Sequence, residues 1–149
     1  MVINPKSLIL IAEDDEDDFM LTLEALREAG INSEIEWVKD GEELIQYLGK
    51  SGESPPYNQN TTPRPCLILM DLNMPKMDGR EALQEIKRDQ VLRKIPVVVL
   101  TTSKADIDID HTYDLGVNSF IQKPLCFKDF VEMARVLSQY WFSVVQLPN

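Results

Sequence analysis

A chain of 149 residues fits a single domain with room for a sizeable core, and 44% hydrophobic with 27% charged residues is a globular rather than a disordered composition. No apolar run approaches the roughly 20 residues of a membrane span, and residues 1–6 carry no signal-peptide pattern, so a cytoplasmic location is expected. The formal charge of −10, from 25 acids against 15 Lys and Arg, argues against nucleic acid or anionic lipid as a partner and suits a site that concentrates a divalent cation.

Residues 7–12 (SLILIA) are continuously apolar, the pattern of a strand buried on both faces. Six consecutive acids follow at 13–18, after which Phe19, Leu23 and Leu26 recur at helical spacing up to Gly30. Acids suit the positive end of a helix dipole, and glycine is a natural stop. Residues 35–38 read as a second strand. Asp40, with Glu43 three residues on, predicts a capping box that opens a helix through Leu44, Ile45 and Leu48. From 50 to 65 the composition turns to Ser, Gly, Pro, Asn and Thr, which marks a loop. The pattern resumes beyond it, so residues 51–63 read as an insertion.

Residues 66–70 form a third apolar run that ends at Asp71. Residues 79–88 read as a helix with Ala82, Leu83 and Ile86 inward, and residues 96–100 (PVVVL) as a fourth strand ending at Thr101. A helix at about 106–115, a short strand at 119–122 and a last helix from 127 to about 140 complete the series. Cys66 and Cys126 are too few for a disulfide scaffold and lack metal-ligand spacing, so both are expected in or near the core.

Five β/α units in series imply an α/β fold, a doubly wound parallel sheet with helices on both faces. One domain spanning 1–149 is expected, with a core at about 6–140, a tail at 141–149 and no output domain. Such sheets bind ligands at the carboxyl ends of their strands. The first strand delivers Glu13 and Asp14 there, the third Asp71, the fourth Thr101 and the fifth Lys123. Taken singly, each has an ordinary explanation: a turn acid, a solvated helix start, a strand-end hydroxyl, a surface lysine. Their joint placement at four strand ends points to a site.

Two carboxylates about 5 Å apart repel by roughly 3 kcal/mol at an effective dielectric near 20. Three at one rim call for a counter-charge, and Mg²⁺ suits a few carboxylates with several waters retained. Aspartate can attack phosphorus to form an acyl phosphate, and the rest of such a reaction is positioning and charge neutralisation. A cation, Lys123 and the Thr101 hydroxyl could each hold one phosphoryl oxygen.

The segment DLNMPKMDG at 71–79, with Glu13-Asp14, Thr101 and Lys123-Pro124, resembles the receiver domain of bacterial two-component response regulators over about residues 6–140. The resemblance implies a flavodoxin-like sheet of strand order 2-1-3-4-5 and a phosphoacceptor at Asp71. It further implies Mg²⁺ held by Asp14, Asp71 and the backbone carbonyl of Asn73, with Glu13 acting largely through water. Thr101 and Lys123 would bind phosphoryl oxygens, Asn73 and Ser103 would tune dephosphorylation, and Phe120 would be a switch aromatic that moves with Thr101. A Phe ring carries no hydroxyl, so that switch would rest on packing. Such a domain is no enzyme beyond phosphorylating and dephosphorylating itself on Asp71.

GREALQEIKRD, IPVVVLTTS, NSFIQKPL and the closing YWFSVVQLP resemble the small regulators paired with cyanobacterial phytochromes. That likeness implies a light-sensing histidine kinase as donor. His111 is the only histidine, so the donor is expected to be external. In the last helix Phe130, Ala134, Leu137 and Trp141 form an inward stripe, while Phe127, Val131, Val136 and Tyr140 fall beside or outside it. With Ile107 on the helix before, and Phe142, Val144, Val145 and Leu147 in the tail, this apolar excess predicts a homodimer through the last helix and tail. Rival readings fit less well. A pseudo-receiver would lack a pocket residue, a phosphatase would want an acid where Asn73 stands, and a flavin domain would not place six acids in its phosphate turn.

Overall fold

In the computed structural model, β1 (Leu8–Ala12) is buried along its whole length, as its unbroken apolar run requires. The structure describes residues 8–49, 51–52, 62–101, 119–124 and 126–139, of which 51–52, 62, 101 and 119–120 by backbone alone. The elements that follow are α1 (Glu16–Glu28), β2 (Glu34–Val38), α2 (Gly41–Gly49), β3 (Ser51–Gly52), β4 (Thr62–Pro63) and β5 (Leu67–Met70). Then come α3 (Gly79–Arg88), a 3-10 turn at Leu92–Lys94, β6 (Val97–Thr101), β7 (Ser119–Gln122) and a helix here numbered α4 (Phe127–Leu137). The expected helix at 106–115, with Ile107 and His111, lies outside the described residues, as do Ser103, Tyr140 and the tail at 141–149.

The main sheet has the order β2-β1-β5-β6-β7, all pairs parallel, which is 2-1-3-4-5 when its five strands alone are counted. Side chains alternate across such a sheet, and the two cores follow that period. Ile9, Ile11, Leu67, Leu69, Val98 and Leu100 point to one face, where α1 and α4 contribute Phe19, Leu26, Phe130 and Ala134. Leu10, Ala12, Ile68, Met70, Val97 and Val99 point to the other, against Leu44 and Leu48 of α2 and Leu83 and Ile86 of α3. Each fully buried Leu or Ile contributes about 1.5–3 kcal/mol of transfer free energy, so the sheet is fixed from both sides.

Capping sets where the helices begin. Asp15 accepts from the Asp18 N–H at 3.0 Å and opens α1 just after the last acid-pocket residue. The predicted capping box at α2 is present: Glu43 N–H donates to Asp40 Oδ1 at 2.9 Å, and Glu43 Oε1 accepts from the Lys39 N–H at 3.0 Å. In the insertion, β3 and β4 pair as a two-residue parallel ladder, and the Tyr47 hydroxyl reaches the Pro63 carbonyl at 3.1 Å.

Two expectations are corrected. Cys126 is exposed rather than near the core, because it stands ahead of the first turn of α4, where the chain leaves the sheet; Cys66 is half-buried. Val131 is buried beside Phe130, Ala134 and Leu137, so it belongs to the inward face of α4. Phe127 and Val136 do lie outside it, 40% and 62% exposed.

Candidate functional site

The sheet register builds the site. Ala12 is paired with Met70, so the next residues, Glu13 and Asp71, leave the sheet side by side. Asp71 N–H donates to the Ala12 carbonyl at 2.9 Å, and Glu13 N–H to the Val38 carbonyl at 3.0 Å. On the far side Thr101 is paired with Gln122, which puts Lys123 one residue beyond the end of β7.

One carboxylate oxygen each from Glu13, Asp14 and Asp71 lie within 4.8 Å of one another. Glu13 and Asp71 are buried and Asp14 is exposed. Lys123, also buried, crosses from β7 and donates to Glu13 Oε1, to Asp71 Oδ2 at 2.8 Å and to Asp18 Oδ2 at 2.8 Å. Its three N–H groups are thus all engaged by carboxylates. Asp71 Oδ1 accepts the Asn73 N–H at 3.0 Å, which anchors the acceptor side chain to its own loop.

The electrostatics follow from burial beside apolar strand ends. Ile11, Leu69 and Leu100 line the space beneath Glu13 and Asp71. Burial pushes the Glu13 carboxyl up to about 8, with the Asp71 charge adding to the rise and Lys123 opposing it. Burial alone would lower Lys123, but the carboxylates of Asp18, Asp71 and Glu13 outweigh it and hold the ammonium above the ordinary lysine range.

The loop after Asp71 is also pinned through its backbone. Gly79 N–H donates to the Leu72 carbonyl at 2.8 Å, and a Cβ on Gly79 would lie 2.5 Å from the Asp71 carbonyl oxygen. Gly41, at the start of α2, donates to the Met77 carbonyl at 2.9 Å, and a Cβ there would lie 2.0 Å from that oxygen. Between them Lys76 takes a positive φ of 65°, and its ammonium lies 3.8 Å from Asp40.

The donor set fits a hard divalent cation. Carboxylate oxygens suit it, and metal–oxygen distances near 2.1 Å require ligands somewhat closer to one another than the spread found here. Asp14, being exposed, is the side chain free to make that adjustment. Asp14 and Asp71 fit direct coordination. Glu13, tied to Lys123 through Oε1 and accepting the Asp15 N–H at 3.3 Å through Oε2, fits an indirect role.

Glu13, Asp14, Asp71 and Lys123 are therefore gathered as the sequence predicts, with Asn73 at the rim. Thr101 ends β6, at the strand end expected of it, and Phe120 lies within β7, but their side chains lie outside the described residues. Two participants escaped the sequence reading. Asp18 looked like one more acid of a helix start, and its place one turn into α1 is the signal that could have found it. Trp37 donates its indole N–H to the Glu13 carbonyl at 2.7 Å, a contact no local pattern announces.

The profile of the response regulator receiver domain matches residues 9–135, and the chain belongs to that family, one of signalling proteins rather than enzymes. Response regulator Rcp1 of Synechocystis sp. is 41% identical over 145 residues, covering 97% of this chain and 95% of Rcp1. The structure of the phosphorylated cyanobacterial phytochrome response regulator RcpA superposes with a TM-score of 0.85 at 42% identity, over 97% of this chain and 99% of that one. The structure of the Mn²⁺-bound form of Rcp1 gives 0.83 at 41% identity, over 96% of this chain and 99% of that one. Among the described residues no helix is long and apolar enough to cross a membrane.

Proposed function

We propose that this receiver takes a phosphoryl group from a histidine kinase onto Asp71, using Mg²⁺ held by Asp14, Asp71 and the Asn73 carbonyl. The observation that carries the reading is the convergence of Lys123 with Asp71 and Glu13 from three strand ends. A carboxylate oxygen of Asp71 forms the new bond to phosphorus while the bond from phosphorus to the donor nitrogen breaks. Asp71 is held ready for this by the Asn73 amide on one oxygen and Lys123 on the other. When bound, the cation would neutralise the acid pocket and the charge gathering on the phosphoryl oxygens.

Lys123 exchanges at least one of its carboxylate partners for a phosphoryl oxygen, since its donors are otherwise spent. Thr101 supplies a hydroxyl to another oxygen, and Phe120 follows Thr101 as the switch ring. The likeness to the phytochrome response regulator RcpA supports a phytochrome-type kinase as donor, and the place of work proposed is the cytoplasm. Output runs through a surface, and exposed Phe127 and Val136 support α4 and the tail as a homodimer contact.

Acetyl phosphate supplied with Mg²⁺ is expected to label the full chain on one residue, read by intact-mass spectrometry. Asp71→Asn or chelation of Mg²⁺ abolishes the label, and a label persisting on another residue overturns the assignment. Light scattering of the eluting protein tests the dimer, which is excluded by a monomer indifferent to phosphorylation and to Val136→Glu. Transfer from a phytochrome kinase in only one of light and dark tests the donor.

A further inference from the structure

The end of β1 poses a physical problem. Six consecutive acids leave the sheet there, and mutual repulsion works to splay the very residues that must meet at one cation. The strand ladder stops at Ala12, so the backbone groups of Glu13 need partners of their own. Both come from β2. The Glu13 N–H donates to the Val38 carbonyl at 3.0 Å, and the Glu13 carbonyl accepts from the Trp37 indole at 2.7 Å.

That second bond has a geometric consequence. The Glu13 carbonyl and the Asp14 nitrogen belong to one planar peptide unit, so fixing the direction of the carbonyl fixes the direction in which Asp14 departs. The indole that fixes it is itself held. It stacks face to face on Phe19 of α1, with centroids 4.2 Å apart and planes 3° from parallel, and the Lys39 ammonium lies 5.0 Å from the centre of the Trp37 ring. Phe19 is buried, so the indole rests on a part of α1 that cannot easily yield.

We infer that Trp37 is a positioning residue for the acid pocket: through the Glu13 carbonyl its indole N–H orients the Glu13–Asp14 peptide so that both carboxylates face Asp71. The inference rests on the reading that these acids hold a divalent cation. Trp37 makes no contact with the cation or the phosphoryl group, and acts on the backbone that carries the ligands. A ring without the donor would fill much of the same space and leave that peptide free to turn.

The test uses Mg²⁺ itself, titrated calorimetrically into the full unphosphorylated chain. Trp37→Phe keeps a ring on Phe19 and loses the donor. It is expected to bind Mg²⁺ about 3- to 10-fold more weakly, the range that loss of one net hydrogen bond gives, while melting within a few degrees of the unmodified protein. Should that variant fail to fold, benzothienylalanine at position 37 places sulfur where the N–H stands and carries the same test. A second readout is the Trp37 indole N–H resonance in a Trp141→Phe background, expected to move as Mg²⁺ is added. Mg²⁺ binding by the donor-free protein within twofold of the unmodified chain overturns the role of Trp37 and leaves the cation reading intact. Failure of the unmodified chain to bind Mg²⁺ overturns both.

Discussion

Lys123 Nζ lies 2.8 Å from Asp71 Oδ2, joining residues 52 positions apart in the chain, and the same ammonium also binds Glu13 and Asp18. One buried cation therefore balances a nest of acids that would otherwise repel one another.

Lys123→Met is expected to destabilise the metal-free protein by about 2–3 kcal/mol in urea unfolding at neutral pH. An orphaned buried charge costs more than that, but Glu13 already holds a proton at that pH and Asp18 is 39% exposed, which softens the loss. Saturating Mg²⁺ should recover more stability in this variant than in the unmodified chain. Equal stability of the two proteins without metal would show that the ammonium is not balancing the pocket.

Asp18→Asn addresses the partner of Lys123 that is 39% exposed. Solvent screens that pair and asparagine keeps an acceptor oxygen, so unfolding free energy should change by less than about 1 kcal/mol. Labelling by acetyl phosphate should persist at a similar or higher rate, since Lys123 is released from one competitor. A tenfold slower rate would mean that Asp18 serves the reaction directly.

Three glycines give a graded series. Gly79→Ala and Gly41→Ala each drive a methyl into backbone, 2.5 Å from the Asp71 oxygen and 2.0 Å from the Met77 oxygen, and each should cost about 1–3 kcal/mol. Gly79→Ala should also slow labelling, because the atom it displaces belongs to Asp71. A Cβ on Gly49 would meet nothing within 4 Å among the described residues, so Gly49→Ala should be neutral or stabilising by up to about 1 kcal/mol. Chemical denaturation of the three variants checks the ranking.

The pH dependence of the metal-free protein follows from Glu13. In the folded chain its carboxyl keeps a proton up to about pH 8, whereas in the unfolded chain it releases one near 4.5. Between those values the folded state binds more protons, so raising the pH lowers stability through this group. The contribution is fully present below pH 4.5 and lost by about pH 8. Melting temperatures in EDTA should fall across that window, Glu13→Gln should flatten the fall, and added Mg²⁺ should stabilise most at its upper end.

The fold was legible in the residues themselves. Strands buried on both faces must be apolar without interruption, and SLILIA, CLILM and PVVVL are; a helix start needs acceptors for its free N–H groups, and the capping box at Asp40 supplies one. The acids at 13–14, Asp71 and Lys123 were legible too, because a parallel sheet sends every strand end to one edge. What required the tertiary structure was pairing across that edge. Composition says nothing of whether Lys123 would meet Asp18, whether Val131 would turn inward, or whether Cys126 would be left in solvent. Nor could any local pattern show the Trp37 indole reaching the Glu13 carbonyl, since that contact joins adjacent strands 24 residues apart. Side-chain type and spacing decide which groups arrive at the rim; only the packing of strand on strand and helix on sheet decides which of them touch.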